Sequence, residues 1–232
     1  MPGEATPGSG PTVKRIMHQF RQRRRSYLHN LIPVVAVLLC FAGIPLYAQD
    51  STKQPLAQDS QTNLKKGTFL VATDNLAGSS FEETVILVTN YSKQGTVGIA
   101  INRPTTLTLK EAFPEDKHFE DKKDELYLGG PVRPDSLFVL MKTKHPEGGM
   151  QHIAADVYFS AGIAAMVHDI EKNGGNLTAR AFAGYSGWAA GQLEEEIQQG
   201  DWLVINADMN IIFSNSNNIW QKLHRAWSGT WI

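Results

Sequence analysis

Between Leu31 and Ala48 the chain runs for 18 residues without a charge, and this stretch sets apart everything that can fold around a core. As a helix it would span about 27 Å, close to the hydrocarbon thickness of a bilayer. Before it, residues 1–30 carry Lys14, Arg15, Arg21, Arg23, Arg24 and Arg25 against one acid, a balance of +5. Residues 31–232 carry 16 Lys/Arg against 22 Asp/Glu, a balance of -6. The formal charge of -1 therefore hides a basic front and an acidic body. Positive residues before an apolar run hold that flank in the cytoplasm, so the body is expected to be exported.

Two readings of the front stay open. Residues 1–30 form a basic n-region, and 31–48 are either a secretory signal cut after Ala48 or an uncut membrane anchor with the domain outside. Gly43 and Pro45 interrupt a helix just before Ala48, whereas Leu46 is larger than an ideal cleavage site carries. Arg24-Arg25-Ser26-Tyr27-Leu28 resembles the twin-arginine signature, so that route and the general secretory route both remain, as do Met1 and Met17 as starts. The single cysteine, Cys40, lacks the small residues of a lipoprotein site before it and reads as a small hydrophobe. Residues 49–63 are a polar linker. Residues 64–232 then form one domain, long enough to bury about 70% of its unfolded surface. That domain has no cysteine for a disulfide or a Cys-type zinc site. Its acidity opposes phosphate neutralisation, so no nucleic-acid partner is expected.

Strand signals come first in the domain. Thr68–Ala72, Glu83–Thr89 and Val97–Ile101 read as strands, the second too apolar for a one-sided sheet and so central, with a hairpin at 92–95. Asn102-Arg103-Pro104 ends the third. Leu107–Phe113 predicts a short helix capped by Thr106 or Thr108, and residues 114–125 a solvated loop. Leu126–Leu128, Leu137–Met141 and, more weakly, Ile153–Tyr158 read as strands. A helix capped by Ser160 runs through Lys172 and stops at Asn173-Gly174-Gly175, with Ile163, Met166, Val167 and Ile170 on one face. Leu177–Ala183, Trp202–Ile205 and Ile211–Phe213 read as strands, with helices over 189–199 and 217–227. Clustered strands with late helices indicate α+β rather than βαβ alternation.

The chemistry-bearing motifs are weak one by one. Gly184-Tyr185-Ser186-Gly187-Trp188 fails the G-x-S-x-G elbow at its last positions and reads as a tight strand-to-helix turn. Gly129-Gly130-Pro131 offers backbone N–H groups but no following helix, so it too reads as a turn. His118, His145, His152, His168 and His224 show no zinc spacing, and the His168/Glu171 pair reads as solvated. Glu194-Glu195-Glu196 reads as a solvated helix face. Trp202, Trp220 and Trp227 are expected in the core and Trp231 exposed. No catalytic residue, metal ligand or cofactor is expected.

Taken in order, the motifs form a specific set: Gly67–Ala72, Phe81 with Thr84–Leu87, Gly95-x-x-Gly98 through Asn102-Arg103-Pro104, Leu128–Val132, Gly184–Trp188 with Gln192-Leu193-x-x-Glu196, and Trp202. Over residues 64–228 this resembles the YqgE/AlgH family of bacterial and plastid proteins. The resemblance implies a single α+β domain whose bent, split, mostly antiparallel sheet forms a pseudo-barrel flanked by helices. It implies no established activity, although the AlgH name reflects a proposed regulatory role in alginate synthesis. Where many members have Asp-Pro before the residue matching Phe81, this chain has Gly78-Ser79-Ser80. Most members also lack an export segment and are cytoplasmic, which is the alternative location here. The positions matching the family motifs are Asn102, Arg103, Gly129, Gly130, Tyr185, Trp188, Gln192 and Glu196. They form a ligand or interaction groove if they converge; otherwise Asn102 and Arg103 shape a strand end and Gln192 satisfies a turn. The expected function is an exported, non-enzymatic binding or interaction domain for an unknown protein or small molecule, with membrane contact through the front segment if it is uncut. The alternatives are a hydrolase-like enzyme using Ser186 and a regulatory protein.

Overall fold

The run Val85-Ile86-Leu87-Val88 is apolar at every position and needs cover on both faces of a strand. The computed structural model, which describes residues 64–173, 178–215 and 217–228, provides that cover. In chain order the elements are β1 (Thr68–Ala72), β2 (Val85–Ser92), β3 (Gly95–Ala100), β4 (Pro104–Thr108), α1 (Leu109–Ala112), β5 (Glu125–Leu128), β6 (Val132–Lys142), β7 (Gln151–Ala154), β8 (Val157–Ala161), α2 (Ala164–Asn173), β9 (Thr178–Ala189), α3 (Gln192–Gln198), β10 (Trp202–Asn206) and α4 (Ile219–Ser228). The readings placed on residues 1–63, on Gly174-Gly175 and on Trp231 lie outside the described residues.

The sheet order is β10-β1-β2-β3-β9-β6-β8-β7, with β4 and β5 branching off and β5 parallel to β9; every other pair is antiparallel. The 12-residue β9 joins the two halves, pairing with β3 through its last residues and with β6 through its first. The α+β single domain is thus as expected. Three apolar clusters follow from the alternation of side chains along the strands. Phe69, Leu87, Ile99, Leu140 and Phe182 meet on the inner face. Leu70, Ile86, Val88, Trp188 and Trp202 meet on the other face of the first half, with Leu193 and Ile197 of α3. Leu126, Val139, Met141 and Ala183 lie on the other face of the second half, with Leu109 of α1 and Met166 of α2. Met209, Ile212 and Ile219 fill the inner cluster at the Ala72–Ile101 end, where the Trp220 indole N–H donates to the Ala72 carbonyl at 2.7 Å. There too, Arg180 lies 4.4 Å over the Tyr127 ring and donates to the carbonyls of Ile101 and Ser214.

The expected closure into a pseudo-barrel is not made. The sheet ends at β10 and β7. β7 returns toward β1 and β2 through side chains: Lys66 Nζ donates to the His152 carbonyl (2.7 Å) and Gln151 Nε2 to the Thr89 carbonyl (3.1 Å). Because β1 already pairs with β10 and β2, and β2 with β1 and β3, neither has a bare edge for β7.

Other local expectations change. The stretch Ile153–Tyr158 is two strands, β7 and β8, turned at Ala155, which sits at φ +49°. Ser160 belongs to β8 and caps nothing; Gly162, at φ +75°, makes the turn before α2. Ile211–Phe213 is a turn of 3-10 helix, not a strand. The charged segment 114–125 hides Phe119, fully buried at the end of a 3-10 turn capped by Asp116. α1 is capped by Thr108, in a reciprocal box with Glu111. Gly184–Trp188 lies within β9 and is not a turn.

Candidate functional site

Asn102 and Arg103 lie between the end of β3 and Pro104, the first residue of β4. Asn102 Oδ1 accepts from the Val85 N–H (2.9 Å) and its Nδ2 donates to the Glu83 carbonyl (2.8 Å). Arg103 Nε donates to Thr84 Oγ1 (2.9 Å) and its Nη2 to the Glu82 carbonyl (2.7 Å). Both residues hold the 82–85 turn, in which Glu83 is kept at φ +52°. Replacing Asn102 with Ala should cost about 2 kcal/mol, because the Val85 N–H and the Glu83 carbonyl lose their partner. A chemical-denaturation midpoint shift without a change in slope is the check.

Gly129 and Gly130 cross β9 at Gly184 and Tyr185. The Gly129 N–H donates to the Ala183 carbonyl (2.8 Å), and its carbonyl accepts from the Ala100 N–H (2.9 Å). A Cβ on Gly129 would lie 2.2 Å from the Gly184 oxygen, and one on Gly130 would lie 2.2 Å from the Tyr185 carbonyl carbon. These glycines let two backbones touch.

Trp188, Gln192 and Glu196 form one network. Glu196 Oε2 accepts from the indole N–H groups of Trp188 (2.8 Å) and Trp202 (2.9 Å); its Oε1 accepts from Gln192 Nε2 (2.9 Å). Gln192 Oε1 accepts from the Ala189 N–H (3.1 Å). The triple-glutamate face is therefore not simply solvated. Glu194 also accepts from the Tyr91 hydroxyl (2.8 Å), a hydrogen bond that raises the Tyr91 pKa. Burial, reinforced by Glu196, pushes the Asp201 carboxyl above its ordinary value. A raised acid pKa penalises the folded state above that pKa and not below the unfolded one. Asp201→Asn should therefore stabilise the domain near neutral pH, with the gain closing as pH falls through the carboxylate range; paired melts across pH test this.

Of the eight positions, Tyr185 and Trp188 line a groove of about 370 Å³. Asn102, Arg103, Gly129, Gly130, Gln192 and Glu196 do not line it. The Trp188 indole is 7% exposed and held in the second cluster, so Tyr185 supplies the open ring. The groove adds residues that motif reading missed: Asn90 and Gln94 of the β2–β3 hairpin, Val97 of β3, and Val132. Their signal was in the sequence, since Tyr185 and Gly187 share a face once the motif is read as strand.

Ser186 points the other way, 1% exposed, its hydroxyl donating to the Gly129 carbonyl at 3.4 Å. The histidines have other partners. His118 lies between Asp116 (2.7 Å) and Glu171 (3.0 Å), His152 bonds the Ala155 carbonyl, and His168 Nε2 lies 3.1 Å from Glu147 without hydrogen-bond geometry. The His168/Glu171 pair is thus divided between two neighbours. Among the described residues no three His, Cys, Asp or Glu side chains are grouped to share a metal ion.

The AlgH-like family profile matches residues 69–231. A UPF0301 protein of Saccharophagus degradans is 38% identical over 149 residues, covering 62% of this chain and 72% of its own length. One of Cytophaga hutchinsonii is 32% identical over 169 residues, covering 72% and 91%. The solution structure of the AlgH protein from Pseudomonas aeruginosa aligns with a TM-score of 0.59 at 28% identity, covering 71% of this chain and 89% of that one. A crystal structure of a protein from Corynebacterium diphtheriae aligns with a TM-score of 0.59 at 25% identity, covering 70% and 87%.

Proposed function

The chain belongs to the AlgH-like family, and from that premise we propose that its domain is an exported, non-enzymatic binding module whose ligand sits in the groove beside Tyr185. The observation that carries this reading is the open floor at Gly187. Val97, one step beyond the buried Ile99 on β3, stands opposite it, and Gly187 places no side chain on the inner face of the curved sheet. The burial of Ser186, whose hydroxyl donates to the Gly129 carbonyl, supports binding over hydrolysis by that serine.

A fluorophosphonate probe should leave Ser186 unlabelled. Specific turnover, lost on changing Tyr185, Arg103 or Glu196, would overturn the reading. Export rests on the basic front and the uncharged run that follows it. Among the described residues no helix is long and apolar enough to cross a membrane. Cell fractionation with N-terminal sequencing tests it: a periplasmic start at Gln49 means a cleaved signal, and an intact membrane-bound chain means an anchor. An intact soluble cytoplasmic chain refutes export.

A further inference from the structure

We infer that the groove binds a compact, uncharged, hydroxyl-rich ring: a neutral mono- or disaccharide. This rests on the binding reading above and adds the ligand class.

Four observations converge. First, none of the described residues lining the groove is charged, so an ionic ligand would lose hydration without gaining a counter-charge. Second, the polar groups there are amides and a phenol with bonding capacity left. The side chains of Asn90 and Gln94 and the Tyr185 hydroxyl have no hydrogen-bond partner among the described residues, and together they offer both donors and acceptors. Third, Tyr185 supplies a partly open aromatic ring and Val97 a partly exposed apolar patch. A sugar ring carries C–H groups on its face and hydroxyls around its edge, which matches that division.

The fourth observation separates a ring from an extended peptide. The Ala189 N–H turns away from β3 to meet Gln192 Oε1. By the alternation of an antiparallel ladder, the Gly187 N–H and carbonyl also face away from β3. No residue of β6 stands opposite Gly187, because the β6 register reaches only Val132 at Tyr185. The bare edge is therefore one residue long, closed by Val132 on one side and by Gln192 on the other. Strand addition needs a longer run of free backbone. One exposed N–H and one carbonyl suit a pair of neighbouring hydroxyls instead.

The test titrates the full chain with neutral mono- and disaccharides of the chito, cello and malto series, following backbone amide shifts. A uronate oligosaccharide and a short uncharged peptide serve as comparison arms. The blocking variant is Gly187→Leu. A Cβ there meets Val132 at 3.9 Å and the Tyr185 ring at 3.2 Å, so that ring must give by a few tenths of an ångström; the position carries no left-handed φ, and the side chain fills the groove. Tyr185→Phe removes only the hydroxyl. The expected result is saturable binding of at least one neutral saccharide, with the Gly187 amide among the shifted signals. Affinity should fall by more than about tenfold in Gly187→Leu at unchanged melting temperature, and by about tenfold in Tyr185→Phe. Absence of saturable binding by every neutral saccharide up to about 10 mM overturns the inference, as does equal binding by Gly187→Leu. Groove binding by the peptide or the uronate alone, lost in Gly187→Leu, also overturns the saccharide assignment but leaves the binding reading standing.

Discussion

Gly130→Ala should stop the domain from folding. Its new methyl group would sit 2.2 Å from the Tyr185 carbonyl carbon and 2.4 Å from the Ser186 nitrogen, against backbone that cannot swing aside as a side chain can. The φ of +155° adds strain for any residue with a Cβ. Moving β9 away would break the junction where Gly129 bonds both Ala183 and Ala100, and where the two halves of the sheet meet. The loss should exceed about 4 kcal/mol, the range reserved for disrupted packing or backbone geometry. The comparison variant is Gly78→Ala, also at positive φ (+75°) but with nothing within 4 Å of its Cβ; it should cost only about 1 kcal/mol. Soluble yield and circular-dichroism melts of the two variants decide the matter. A Gly130→Ala protein that melts like the parent would mean that the crossing is slack.

The second large effect belongs to Glu196→Ala. One carboxylate accepts from two indole N–H groups that belong to nearly buried rings, Trp188 at 7% and Trp202 at 2% exposure. Removing it leaves both donors without a partner, at about 1–3 kcal/mol each, and frees Gln192 from its place against Ala189. A loss of about 3–4 kcal/mol should lower the melting temperature by about 10 °C in a domain of this size. Glu196→Gln, which keeps one acceptor oxygen, should fall between the two. If Glu196→Ala changes the melting temperature by less than about 2 °C, water replaces the carboxylate and the network is not structural.

Both predictions concern residues picked out by motif rather than by chemistry, and both come out as parts of the scaffold. Gly129 and Gly130 looked like a turn because glycine and proline punctuate a sequence. A long-range backbone crossing leaves the same mark, and no local pattern tells the two apart. Glu196 looked solvated because three consecutive acids rarely hide. Its indole partners stand eight residues before and six residues after it, a pairing visible only once β9, α3 and β10 are placed together. Gly184–Trp188 departs from the expected turn for a related reason. Three small residues amid aromatics resemble a turn, yet β9 uses Gly184 to pass Gly129–Gly130 and Gly187 to leave the groove floor empty.

What the sequence alone determined is what depends on local composition. The apolar run Val85–Val88 required a central strand, Thr106 or Thr108 marked a helix start, of which the structure uses Thr108, and the ordered motifs identified the family. The charge split and the uncharged run 31–48 are legible without tertiary structure, because they are sums over neighbours in the chain. Tertiary structure decided everything that depends on distant pairs. The sheet stays open because β1 and β2 have no free edge, Ser186 is buried because β9 continues through it, and a single bare residue at Gly187 faces the groove. Those outcomes are set by which strands are neighbours, and strand neighbours in this fold lie up to about 140 residues apart, as β1 and β10 do, where hydrophobic periodicity carries no information.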